Sequence, residues 1–294
     1  MSWSDYDDYP IRTWHWSTEE VRELSTKQII QKLKNFGVEF TEKKFLKEVK
    51  RFLSAEDLAK HWEKIYHINA AGYDVDFIWM AAVILWERLA PEVYSSEMID
   101  DMMQEGYGLL DSRRVVEACA IWLEVWEHLK PRFTVEMKSI RDADSVFSGM
   151  QSIYNWCQQF EQELGNAGIE DSVFHEKRIQ YCREFYTLFP ESDPLILINM
   201  KRAEAEALFA LGRIEEGDRT FEALIKEFPD SAWGYVGWGD MRGIFRHKDH
   251  VPFDYEKAEK IYRLGLKRAT ENREVILDRL KDLEKERKKQ LSNQ

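Results

Sequence analysis

Phe189-Pro190-Glu191-Ser192 and Phe228-Pro229-Asp230-Ser231 are near copies, and their prolines recur 39 residues apart, at positions 190 and 229. A period of this size belongs to helix-pair repeats, in which each proline closes a second helix because its ring cannot continue the backbone ladder. Working outward from these two endings, apolar residues fall at helical spacing. The stretch ending at Pro229 predicts helices over 194–211 and 214–228, and the one ending at Pro190 predicts helices over 143–164 and 172–189. A further pair covers 98–110 and 115–129 before Pro131. Its second helix has Val115, Ala118, Trp122, Val125 and Leu129 on one face. A last pair runs over 233–245 and from 254 onward.

Upstream, Gly37 predicts a helix stop, Thr41 a helix start, and Ser54 with Asp57 a capping box for a third helix. A fourth helix is expected over 75–89, ending before Pro91. Residues 1–18 carry Trp3, Tyr6, Tyr9, Trp14 and Trp16 among aspartates without helical period, and docking of these aromatics onto the body is expected. Residues 271–294, charged at nearly every other position, read as a helix or tail that frays in solvent. The expected fold class is all-α. The expected organisation is an N-terminal aromatic arm and helical region over 1–90, helix-pair repeats over 91–270, and a charged C-terminal segment over 271–294.

One register recurs within the pairs. Gly106 precedes Ala118-x3-Trp122 by 12 residues, and Ala205 precedes Gly217-x3-Phe221 by the same interval. Tyr235-x2-Trp238-Gly239 is followed by Ala258-x3-Tyr262 after a longer connection. Small residues let two helices cross closely, and the aromatic fills the wedge beside them. Where the pair ending at Pro190 should repeat this pattern it has Arg178-x3-Cys182. These residues resemble the tetratricopeptide-repeat (TPR) family over roughly the last two-thirds of the chain. The resemblance implies a TPR-like solenoid, an alpha-alpha superhelix of antiparallel helix pairs. The run Trp233–Asp240 is similar to one in a bacterial group of such proteins, some of which end in a cysteine-rich zinc motif. No such motif ends this chain, so zinc is not implied.

Composition narrows the function. A formal net charge of −12 disfavours nucleic-acid and anionic-membrane surfaces. The longest apolar run, 77–85, is too short to cross a bilayer, and the acidic start is unlike a secretory signal, so a cytoplasmic protein is expected. Cys119, Cys157 and Cys182 are an odd, scattered set that reads as reduced, buried thiols. His247-Lys248-Asp249-His250 could ligate a metal, but such sites require more ligands on a rigid frame, and a solvated loop is the expectation. Asp7-Asp8 and Asp100-Asp101 are paired acids; adjacent residues on a helix point in different directions, so the second pair is a poor acid–base dyad. Phosphate loops, dinucleotide fingerprints and nucleophile elbows are absent. No catalytic residue, cofactor or metal is expected.

The first reading is therefore a non-catalytic interaction or scaffold protein that holds a peptide or protein segment in a helical-repeat groove. The family resemblance places Asp100, Tyr107, Asn199, Arg202, Glu206, Trp233 and Asp240 on that groove. Acids beside aromatics there suit a basic ligand. The alternative is a nucleic-acid-linked regulator. In it the basic segment 26–51, with eight Lys or Arg against three Glu, would form two helices that read DNA while the repeats sense a ligand.

Overall fold

The computed structural model describes residues 16–247 and 250–292. The chain divides into two compact units, residues up to 102 together with 146–150, and residues 103–145 together with 151–294. Among the described residues the structure is helical without strands, apart from one isolated parallel bridge between Ser231 and Glu271.

In the first unit the helices are α1 (Thr18–Glu23), α2 (Thr26–Asn35), α3 (Glu42–Glu48), α4 (Ala55–Ile65), α5 (Phe77–Leu89) and the first turns of α6 (Ser96–Asp111). Hydroxyl caps set the starts. Ser17 with Glu20 and Ser25 with Gln28 form capping boxes, and Thr41 accepts from the Lys44 amide. Ser54 accepts from the Asp57 amide, but the reciprocal half of the expected box is missing. Glu97 of α6 instead accepts from the Ala55 and Glu56 amides at 2.9 and 3.0 Å. Gly37, at φ +93°, ends α2 in a conformation that a β-carbon disfavours. Helix α5 is buried nearly all round, from Phe77 and Ile78 to Leu85 and Trp86, and α1, α2 and α4 pack on it. Of the N-terminal aromatics only Trp16 lies within the described residues. It sits edge-on to Phe77 at 5.1 Å and donates to Asp74 at 2.9 Å. Trp3, Tyr6, Tyr9, Trp14 and the Asp7-Asp8 pair lie outside the described residues.

The second unit contains the rest of α6, then α7 (Val115–Leu129), α8 (Ile140–Ala143), α9 (Ile153–Glu170), α10 (Val173–Leu188), α11 (Pro194–Ala210), α12 (Ile214–Glu227), α13 (Ala232–Arg242), α14 (Tyr255–Arg268) and α15 (Arg273–Ser292). From α9 to α15 each helix packs on the next. Helices two apart also touch, α9 on α11, α11 on α13 and α13 on α15, so these four form one row. Two expected elements differ. The helix expected over 143–164 is broken, because Ser139 caps the short α8 and Ser152 starts α9 anew. The charged segment after 271 is α15, which buries Ile276 and Leu283 completely against α13 and α14, while Glu284, Lys285, Arg287, Lys288 and Lys289 beyond them are exposed.

The wedge register has a physical basis at two of its positions. The Trp122 ring lies where a Gly106 β-carbon would stand, and the Tyr262 ring does the same at Gly239. Trp122, Phe221 and Tyr262 are fully buried. The α6–α7 and α11–α12 turns are the same structure. In one the Arg114 amide donates to the Leu109 carbonyl, and in the other the Arg213 amide donates to the Leu208 carbonyl. Arg113 (φ +60°) and Gly212 (φ +71°) occupy equivalent left-handed positions. Arg114 pairs with Glu117, and Arg213 with Glu216.

Candidate functional site

The row of α9, α11 and α13 carries a connected polar chain in the second unit. It begins on α10, where the pattern of small residues is broken by Arg178. The Arg178 side chain reaches across Gly165 of α9, where a β-carbon would stand 3.1 Å from the guanidinium carbon. It donates through Nε to Glu161 Oε1 at 2.7 Å, and Nη2 lies 3.7 Å from Glu206 Oε2. Arg202 Nε stands 3.2 Å from Glu206 Oε1, and its guanidinium lies 5.9 Å from the centre of the Trp233 ring. Gly237 gives the Arg202 stem its passage, since a β-carbon there would come within 2.8 Å of Cγ and Cδ. Glu161, Arg178, Glu206, Arg202 and Trp233 thus form one line across α9, α10, α11 and α13.

Burial decides the character of this line. The Arg178 and Glu161 side chains are only 13% and 9% exposed. Burial works against the Arg178 charge, but the carboxylates of Glu161 and Glu206 outweigh it and raise its pKa. Such a pair is held by mutual hydrogen bonding, and removing one partner leaves an uncompensated buried charge. At the other end of the row, Asp240 is buried. It accepts from the Tyr262 hydroxyl at 2.6 Å and pairs with Arg279 of α15 at 3.0 Å. Burial raises its pKa, and these two donors oppose the rise.

The residues expected on a groove divide accordingly. Arg202, Glu206 and Trp233 are joined in the line described, and Asn199 lies on the same stripe of α11, half-buried with no side-chain hydrogen bond or ion pair among the described residues. Asp240 is on α13 but engaged by Tyr262 and Arg279. Tyr107 is half-buried in α6 and packs edge-on to Trp122 at 4.9 Å. Asp100 lies in the first unit, where Oδ1 accepts from the Met150 amide at 2.9 Å.

Arg178 and Glu161 escaped the sequence reading. The one signal was the departure at Arg178-x3-Cys182, which reads as a weak repeat until the guanidinium is seen lying over Gly165. Also unforeseen is His175, near the start of α10. It is 7% exposed, packs on Gly168 of α9 and faces the His247 ring at 6.3 Å. Burial, then the charges of Arg178 and His247, bring its pKa down to about 4. Lys248 and Asp249, between His247 and His250, lie outside the described residues. Among the described residues no group of three or more His, Cys, Asp and Glu is placed to hold a metal.

The three cysteines are buried and free. Burial pushes the Cys119 thiol up to about 12 and the Cys157 and Cys182 thiols well above their usual value, so each favours the thiol over the nucleophilic thiolate. In the basic segment, Lys32 pairs with Asp74 at 2.9 Å and sits over the Trp16, Phe36 and Phe77 rings, and Lys44 donates to the Tyr66 hydroxyl at 2.5 Å. Lys27, Lys34, Lys43, Lys44, Lys47, Lys50 and Arg51 are exposed, with Lys34 3.8 Å from Glu39. No helix among the described residues is long and apolar enough to cross a membrane.

Searches with this chain found no matching family model, no matching curated protein and no matching solved structure.

Proposed function

We propose that this chain is a non-catalytic interaction protein whose second unit is a TPR-like superhelical solenoid of antiparallel helix pairs, and that the stripe formed by α9, α11 and α13 holds a peptide or protein segment of a partner. The observation that carries the reading is the continuity of the row: α9 touches α11 and α11 touches α13, with Arg202, Glu206, Trp233 and the unengaged Asn199 along it. Stacked pairs of this kind make extended surfaces suited to peptide segments. The carboxylates here are already matched by Arg178, Arg202 and Arg279, so the Asn199 amide and the Trp233 face, on neighbouring helices of the row, suit a peptide backbone with an apolar anchor. The identical α6–α7 and α11–α12 turns support the repeat assignment.

The test is affinity capture from the native host with the full chain and with the double variant Asn199→Arg, Trp233→Ala. A partner retained by the parent and reduced about tenfold or more, the equivalent of about 1.4 kcal/mol, with the folded variant is expected. Equal retention by both would move the binding site off this stripe.

A further inference from the structure

The first unit contains a cleft of about 410 Å3 between α1, α4, α5, the first turns of α6 and residues 148–150. One wall is apolar. Trp79 and Val83 stand one turn apart on α5, and Met150, in the bend at 149–150, lines the same cleft. Trp79 is 40% exposed and Met150 83% exposed, so two large apolar side chains at one cleft stand in water. The remaining lining includes Glu56, Glu87, Glu97, Asp100 and Asp101 against a single cation, Arg22.

Most of these acids have a partner. Glu97 caps α4, Asp100 accepts from the Met150 amide, Glu56 pairs with Lys60 at 2.6 Å, and Glu87 takes the Arg22 guanidinium bidentately at 2.5 and 3.0 Å. Asp101, an exposed residue at the cleft, alone has neither a side-chain hydrogen bond nor an ion pair among the described residues. It stands beside the apolar wall with Glu87 and Asp100 near it. Burial raises its pKa, the charges of Glu87 and Asp100 add to the rise, and Arg22 partly offsets it.

We infer that this cleft binds an arginine side chain presented by a peptide segment of a partner protein, the stem lying on Trp79 and Met150 and the guanidinium meeting Asp101. The inference is independent of the stripe on the second unit. An anionic ligand would meet uncompensated repulsion, and a purely apolar one would strip water from Asp101 without replacing its hydrogen bonds. A hard divalent cation requires several convergent oxygens, whereas here most carboxylates are held by amides or cations and one wall offers no oxygen. A guanidinium satisfies both walls at once, because its plane stacks on an indole face while its N–H groups reach a carboxylate in the same plane.

The experiment uses the full chain and fluorescence anisotropy with labelled hexapeptides bearing one arginine flanked by leucines. Each is compared with its citrulline counterpart, which keeps the shape and loses the charge. Arginine peptides are expected to bind about tenfold more tightly than citrulline ones, with an affinity that falls as salt rises. Asp101→Asn and Trp79→Ala are each expected to weaken arginine-peptide binding about tenfold. Asp101→Asn should not lower the thermal midpoint, because it removes repulsion from Glu87 and Asp100 that outweighs the attraction of Arg22. Equal affinity for arginine and citrulline peptides would overturn the inference, as would full binding by a folded Asp101→Asn chain. So would spermidine or calcium binding, abolished by Asp101→Asn, where no arginine peptide binds at millimolar concentration, since that outcome assigns the cleft to a free cation.

Discussion

Arg178 shows how one residue can reverse the reading of a repeat. At a position where the pattern asks for a small side chain, an arginine is tolerated only because Gly165 clears its path and Glu161 and Glu206 meet its charge. Arg178→Met therefore leaves the buried Glu161 without its partner and is expected to destabilise by about 3–5 kcal/mol. The double variant Arg178→Met, Glu161→Leu removes both charges and should recover most of that loss. Urea melts of the single and double variants check this, and additive losses would mean that the pair is not coupled. His175 gives a pH dependence of definite sign. Its pKa falls from 6.5 to about 4 on folding, so between these values the unfolded chain holds a proton that the native chain does not. Its contribution is complete above pH 6.5 and is lost as pH falls toward 4. The urea midpoint of the parent chain should drop across that window, and the drop should be smaller in His175→Gln.

At the scale of the element, the two equivalent turns offer an internal control. Gly212 occupies the left-handed position in one, and Arg113 in the other. A β-carbon there costs about 1–2 kcal/mol, partly offset by the greater unfolded-state freedom of glycine. Arg113→Gly should thus stabilise by up to about 1 kcal/mol, read as a higher urea midpoint, while Gly212→Arg should do the reverse. Helix α15 carries a different lesson. Its composition is that of a solvated tail, yet Ile276 and Leu283, seven residues apart, are fully buried, and Arg279 between them pairs with Asp240. Truncation after residue 272 uncovers these contacts. Burial of the two side chains alone contributes about 3–6 kcal/mol, so a large fall in the thermal midpoint is expected, and an unchanged one would mean the helix contributes nothing to the unit.

Across the whole molecule, charge sets what the surface can meet. With a net charge of −12, the exposed cations of the basic segment stand against a surplus of acids in the rest of the chain, and two of its lysines are already engaged by Asp74 and Tyr66. Duplex DNA is expected to be released at physiological salt. Retention with a steep negative dependence on salt would instead favour the alternative of a DNA-reading regulator, since each phosphate contact adds to that slope. The same charge balance agrees with a partner that brings cations to the first unit. On the second unit's stripe the acids have cationic partners within the chain, Glu206 beside Arg178 and Arg202 and Asp240 beside Arg279. An Asp240→Lys change would disrupt Tyr262 and Arg279 rather than probe a groove.

The sequence by itself determined the helices and much of their register, because these are local matters. Val115–Leu129 is legible from apolar spacing, Thr41 from its hydroxyl, Gly37 from its freedom at positive φ, and the Gly106–Trp122 wedge from a small residue and an aromatic at a repeated interval. It misplaced the start of α9, since Ser139 and Ser152 both offer caps and only packing chooses how each is used. Tertiary structure alone decided the rest. Whether Arg178 is a solvated charge or the centre of a buried pair depends on Gly165, Glu161 and Glu206, which lie on two other helices and leave no periodic trace. Whether Asp101 is an ordinary surface acid or the unpartnered wall of a cleft depends on Trp79 and Met150, brought beside it by segments far apart in the chain. Periodicity reports which face of a helix is buried; what a charge meets on that face is fixed only when the helices are packed.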